Sequence, residues 1–421
     1  MVVQASAFRH FVETEYKLSY WASQQHDRAR RRPVVKPPAI FRAGVGQGAL
    51  GLGSVLQVDQ WLRTPAAQRF IGHAPDAPCR GSDSTLLRAL RQWDVVPARA
   101  AAYAVHLWQR DQGQANRVLS SGRTVRVAVV DGSCFGGVWA SVLGFAGAFY
   151  YSVDVERYAG RGHELAASRA VLARATERLG AGFATHLLYD GLMADRADFA
   201  TARRQWGLHL VVKTTEQTLA LVADSRALWT PMTPAQLRAA GVEVVGGVDD
   251  TRAVSYTVCA QGGMRWEGLV FPLKLAWVRE THRKGKYVGQ TFEFWVLTTD
   301  ESLGAAELRE LAHARWAIEN NGFKHLNAAV GSKQAYLKDA AAKEALLLLW
   351  GIGLALQEAF RLWLETQAAW RDWGVKKTAR LLRQCILWSA MEDEVLGVRR
   401  QPLSRAVAAA PERESSSAHR R

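Results

Sequence analysis

The chain has 421 residues, 48% of them hydrophobic, and 54 Lys plus Arg against 39 Asp plus Glu, for a formal charge of +15. That apolar share excludes a disordered chain and suffices for two or three domains with a sizeable core. The basic excess points to a polyanionic partner, nucleic acid or an acidic membrane surface, or else to arginines scattered over an ordinary soluble surface. Cys79, Cys134, Cys259 and Cys385 lie far apart without a C-x-x-C, which argues against a zinc module or disulfide framework and for a reducing compartment.

The start, MVVQASAFRHF, lacks a basic segment followed by an apolar run, so no secretory signal is expected. Residues 1–26 suit an aromatic-bearing helix. DRARRRPVVKPPA at 27–39 interrupts it with three prolines and five basic residues, a connector suited to phosphates through Arg30, Arg31 and Arg32. GVGQGALGLG follows at 44–53, then helical patterning. SDSTLLRALRQW at 82–93 opens on an N-cap signal at Ser82 or Ser84. Residues 1–118 are therefore expected to form a helical N-terminal DNA-binding region.

The pattern changes at RTVRVAVVDGS (123–133), a β-branched run ending in an acid and a glycine. SVLGFAGAFYYSVDV (141–155) continues strand-like. HELAASRAVLARATERLG (163–180) has a helical period with Gly180 as its stop. THLLYDG (185–191) is a short apolar run closing on Asp-Gly, DRADFATARRQWG (195–207) is helical, and LHLVVKTT (208–215) is a strand carrying Lys213. Strand, strand, helix, strand, helix, strand predicts a mixed α/β sheet over 119–240. From 241 to 300 the chain is β-rich, with the basic turn THRKGKYVG carrying Arg283 and Lys284 either as a solvated hairpin tip or as a DNA contact. Helical patterning resumes over 301–335 and 336–395. ALLLLWGIGLAL at 345–356 is shorter than the roughly 20 residues of a membrane span and predicts a buried core helix. The tail, 396–421, is poor in large apolar residues and predicts disorder.

Gly46-Gln47-Gly48-Ala49-Leu50-Gly51 fits G-x-G-x-x-G, but no buried strand or βαβ unit surrounds it, so a dinucleotide site is not expected. A P-loop and a G-x-S-x-G elbow are both absent. The stronger signal is a set of carboxylates. Asp131 ends VRVAVVD and Asp190 ends HLLYD, and an acid at the edge of an apolar strand is costly unless a cation or hydrogen bonds compensate it. Side by side, the two would demand a metal, and hard oxygen donors without Cys or His select Mg²⁺ or Mn²⁺. The alternative is an Asp-Gly turn after each strand. Glu319, in RWAIENNGFKHLN, has two readings as well: a third metal ligand, or half of an i,i+4 ion pair with Arg315. At 100° per residue Lys324 falls about 140° around the helix from Glu319, where it can meet a phosphate; Asn327 lies two turns along from Glu319.

With AVVDGS, LLYDGLMA and TTDESLGAAELRELAHARWAIENNGFKHL in order, separated by 59 and 129 residues at the acids, the chain resembles the DDE transposases of bacterial insertion sequences, particularly the insertion-sequence-four family. The resemblance implies a ribonuclease-H-like catalytic domain interrupted by a β-rich insertion, with helical N- and C-terminal parts. It implies Asp131, Asp190 and Glu319 as catalytic and metal-binding residues for two Mg²⁺ or Mn²⁺ ions, with cleavage at terminal inverted repeats and strand transfer into target DNA. A homodimer in a synaptic complex, a cytoplasmic, nucleoid-associated location, no membrane and no nucleotide cofactor follow by the same resemblance. The family's Y-x2-R-x3-E-x6-K pattern is met at Arg315 and Glu319. Ala312 stands at the tyrosine position, and Leu326 at the lysine, or Asn327 if Gly322 is an insertion; Lys324 is the candidate in its place. Trp266 and Trp277 are either core residues or platforms for an unpaired base. Rival readings are a nuclease of the same fold without strand transfer, and a non-catalytic DNA-binding protein.

Overall fold

TVRVAVVDGSCF forms the central strand because its β-branched residues are buried on both faces, as in a sheet covered by helices on each side. The computed structural model describes residues 5–26, 35–73, 82–191, 195–215, 219–334 and 339–366. Arg30, Arg31 and Arg32, the expected helical segment beyond 366 and the expected disordered tail lie outside the described residues.

The N-terminal part is helical: α1 (Ala5–Thr14), α2 (Leu18–Ser23), α3 (Pro37–Leu50), α4 (Val55–Leu62), α5 (Pro65–Ile71), α6 (Asp83–Arg91) and α7 (Val95–Asp111). Ser82 is the N-cap of α6, its hydroxyl accepting from the Thr85 N–H. The expected single N-terminal helix is two, broken where Lys17 takes a left-handed φ of 54°. The G-x-G-x-x-G match lies in and just after α3: Gly46 and Gly48 serve packing, and Gly51 ends the helix with a left-handed φ of 58°. A Cβ on Gly48 would lie 2.6 Å from the Trp350 carbonyl oxygen.

Ten strands form one sheet: β1 (Asn116–Val118), β2 (Thr124–Phe135), β3 (Val138–Ala146), β4 (Tyr150–Tyr158), β5 (His186–Asp190), β6 (His209–Thr214), β7 (Glu243–Asp249), β8 (Val254–Met264), β9 (Leu273–His282) and β10 (Thr291–Thr298). Their order is β4-β3-β2-β5-β6-β10-β9-β8-β7, with β1 paired to β2. β2, β3 and β4 are antiparallel; β2, β5 and β6 run parallel. Three antiparallel strands followed by two parallel ones, with α8 (Glu164–Leu179) crossing between, make the ribonuclease-H-like arrangement, an α/β fold. The strand-like stretch 141–155 is a hairpin of β3 and β4. It breaks at Gly147, where a Cβ would lie 2.2 Å from the Gln114 carbonyl oxygen.

Between β5 and β7 come α9 (Arg196–Thr201) with a π-turn at Ala202–Trp206, α10 (Ala220–Trp229) and α11 (Pro234–Ala239). The β-rich block inserted before α12 (Ala305–Ala314) continues the core sheet, because its last strand, β10, pairs antiparallel with β6. A second π-turn, Ile318–Phe323, joins α12 to α13 (Lys324–Val330), and α14 (Ala340–Thr366) closes the described chain. α14 is apolar and long enough to cross a membrane by length and composition, but 83% of its most apolar window is buried inside the fold. Trp277 is buried and stacked on Trp295, with ring centres 5.7 Å apart, which corrects its candidacy as a base platform. Trp266 sits edge-on against Phe199.

Candidate active site

The parallel register of β2 and β5 pairs Val127 with His186, Ala128 with Leu187 and Val129 with Leu188. The same offset carries Asp131 alongside Asp190, just past the point where the pairing ends. The spacing between the two acids in the sequence is thus the register of the two strands. Each apolar run fixes its strand in the core and delivers its aspartate to the same end of the sheet.

Asp131 is buried and takes a 3.0 Å hydrogen bond from the Gly132 N–H. Burial, above all, pushes its carboxyl up to about 7; Arg315 opposes the shift, and Glu164, Glu319 and Asp190 add to it. A buried acid among like charges stays ionised only where positive charge is supplied. Arg315 supplies part of it. Its Nη1 donates to Glu319 Oε1 at 2.7 Å and its Nη2 donates to Asp190. The guanidinium is buried, while Asp190 and Glu319 remain partly open to solvent. Of the two readings of Glu319, the ion pair with Arg315 is present, and that pair ties Glu319 to Asp190.

The turn that carries Glu319 differs from the expected α-helix. Ile318–Phe323 is a π-turn, one residue wider per turn than α, so the 100° spacing does not apply across it. Gly322 permits it to lie on the sheet, since a Cβ there would come within 2.6 Å of the Tyr150 ring. Lys324 is exposed and donates to Asn320 Oδ1 at 2.6 Å. Asn327 is spent partly on structure: its Oδ1 accepts from the Lys333 N–H beyond the end of α13.

Lys213 pairs in register with Asp190 on the adjoining strand. Its ammonium lies 3.6 Å from the Trp316 ring centre and 4.1 Å from that of Phe294, and burial lowers it to about 8. It is a half-buried cation beside the acids, not a free surface lysine. Arg283 and Lys284 are exposed on the connection between β9 and β10, Arg283 pairing with Asp250 at 3.0 Å. Because β10 runs antiparallel to β6 and Trp295 pairs with Thr214, the start of β10 overhangs the acid end of the sheet. Four residues at roughly 3.3 Å each carry the basic hairpin well past that edge.

Sequence reasoning missed Glu164, in the first turn of α8. Its Oε1 accepts from the same Gly132 N–H at 2.7 Å, and it adds to the negative field on Asp131. A glutamate opening a helix is common, and nothing in HELAAS marks it. Among the described residues no group of three His, Cys, Asp or Glu side chains stands close enough to hold a metal ion. The donor chemistry nevertheless fits a hard divalent cation: carboxylate oxygens, one of them buried and destabilised by its neighbours, without Cys or His. Arg315 bridges Asp190 and Glu319.

No family model and no curated protein sequence matches the chain. Among solved structures, a chain of the piggyBac transposase synaptic complex with hairpin DNA is similar at a TM-score of 0.40 and 11% identity, covering 99% of this chain and 87% of that one. At that distance the chemistry of the site rests on its own geometry.

Proposed function

We propose that this chain is a DNA transposase of the DDE type, a metal-dependent enzyme that cleaves element ends and joins the freed 3′-hydroxyl to target DNA. The observation that carries the reading is the convergence of Asp131 and Asp190 at one end of parallel β2 and β5, with Glu319 tied to Asp190 through Arg315. Asp131, Asp190 and Glu319 would hold Mg²⁺ or Mn²⁺, two ions per site. When bound, such a pair supplies activation of the attacking hydroxyl and stabilisation of the leaving oxygen in an in-line displacement.

The chain's own residues do the rest. Arg315 orients Asp190 and Glu319 before DNA arrives; once it releases a carboxylate, its fork suits a phosphate. Lys213 adds fixed positive charge one strand from Asp190. Arg283 and Lys284 extend that charge along the overhanging hairpin, where it can follow a DNA backbone. The motif resemblance carries the finer proposal, an enzyme like the insertion-sequence-four family that acts as a homodimer on terminal inverted repeats.

The test is Mg²⁺-dependent nicking and joining of DNA bearing the sequences that flank the gene. Wild type is expected to nick and join, and Asp131→Ala, Asp190→Ala and Glu319→Ala to lose both. Nicking that survives all three substitutions would refute the site, and nicking without joining would make the enzyme a nuclease.

A further inference from the structure

We infer that Glu164 is a positioning residue of this centre, one that fixes the backbone of β2 just after Asp131 and through it the carboxylate of Asp131; the inference rests on the transposase reading above. Two carboxylates of different elements share one donor. The Gly132 N–H gives 3.0 Å to Asp131 Oδ1 and 2.7 Å to Glu164 Oε1. An N–H held by a second acceptor cannot turn freely toward its own neighbour's side chain, so Glu164 limits where the Asp131 carboxylate can point. Gly132 makes this approach possible. A Cβ there would lie 2.4 Å from Glu164 Cδ and 2.5 Å from the Tyr158 hydroxyl oxygen, so only glycine leaves room for the glutamate.

Glu164 is itself anchored from three sides. It opens α8, where the free N–H groups of the first turn favour an anion. The Tyr158 hydroxyl lies against the same spot as its carboxylate, and the Gly132 N–H closes the contact. Because α8 packs across β3 and β4, the link ties the covering helix to the strand that carries the first acid. Glu164 touches no reacting atom in this role; it acts through Gly132 and Asp131.

Two variants separate position from charge. Glu164→Gln keeps an oxygen acceptor for the Gly132 N–H, and Glu164→Ala removes it. Gly132→Ala leaves Glu164 in the chain but pushes aside its flexible carboxylate end. Mn²⁺ binding, followed by electron paramagnetic resonance on the full chain without DNA, is the first readout; kcat and KM for nicking are the second. Glu164→Gln is expected within about threefold of wild type. Glu164→Ala and Gly132→Ala are expected to bind Mn²⁺ about tenfold more weakly and to lose kcat with KM for DNA unchanged. Wild-type Mn²⁺ affinity in Glu164→Ala, or Glu164→Gln as weak as Glu164→Ala, overturns the positioning role and leaves the transposase reading standing. Wild type that binds no Mn²⁺ overturns both.

Discussion

Arg315 reaches across 125 positions of sequence to donate to Asp190, and with its other terminal nitrogen it holds Glu319. One buried guanidinium thus joins an acid on the sheet to an acid on the π-turn. Removing it leaves two carboxylates facing each other with little to neutralise them. Arg315→Ala is expected to lose about 2 kcal/mol of stability in EDTA at neutral pH, and to recover most of it in millimolar Mg²⁺. Arg315→Lys cannot fork to both acids and should behave nearly as poorly. Urea denaturation with and without Mg²⁺ decides the matter; a Mg²⁺ increment no larger in Arg315→Ala than in wild type would count against it.

Asp131 gives the fold a pH dependence of definite sign. Burial, with help from three neighbouring carboxylates, raises it to about 7, well above the usual carboxylate range. The folded protein therefore binds this proton more tightly than the unfolded chain does. Its contribution is fully present below about pH 4 and is lost as pH rises through 7. Asp131→Asn, neutral throughout, should match wild type at pH 4 and exceed it by about 4 kcal/mol at pH 8 in metal-free buffer. Equal stability of the two proteins at pH 8 would show that the aspartate is not held this way.

The overhanging hairpin makes a prediction about salt. Lys284 and Lys286 are exposed, Lys286 lying 4.6 Å from the Tyr287 ring centre, whereas Arg283 is already paired with Asp250. The double variant Lys284→Ala/Lys286→Ala should weaken DNA binding without changing sequence preference, and should reduce the log–log salt slope by about 1 to 2. Arg283→Ala should have the smaller effect. Fluorescence anisotropy over a salt series measures both.

The π-turn depends on Gly322. A Cβ there meets the rigid ring of Tyr150 at 2.6 Å, so the turn that carries Glu319 must lift from the sheet. Gly322→Ala is expected to cost about 1 to 3 kcal/mol. It should also lower the nicking rate well beyond what that loss of stability explains, since Glu319 moves with the turn. An activity loss no greater than the unfolded fraction would limit Gly322 to packing.

Much of the centre was legible in the chain because Asp131 and Asp190 each close an apolar run, and their separation equals a strand register; that β2 continues past Asp131 to Phe135, paired with β3, was not legible. Glu319 was legible only as an ambiguity, since i,i+4 spacing from Arg315 suits a surface pair and a buried bridge equally. Glu164 was not legible: local sequence cannot reveal that a helix opening 32 residues later meets the Gly132 N–H. The π-turn was hidden for a different reason. A 3.6-residue template assumes even rotation, which the wider turn at Ile318–Phe323 interrupts. The hairpin break at Gly147 depends on a backbone contact with Gln114 that no strand propensity encodes.

The glycine contacts between α3 and α14 reach beyond packing. A Cβ on Gly353 would lie 2.2 Å from the Val45 carbonyl oxygen, and one on Gly44 would lie 2.5 Å from Leu349. The first third of the chain is thereby keyed to a helix near its far end, backbone against backbone. The N-terminal helical part therefore cannot be exchanged as a cassette, because a graft would have to bring its matching α14 with it. Changes in that part must come residue by residue, within a single inherited body.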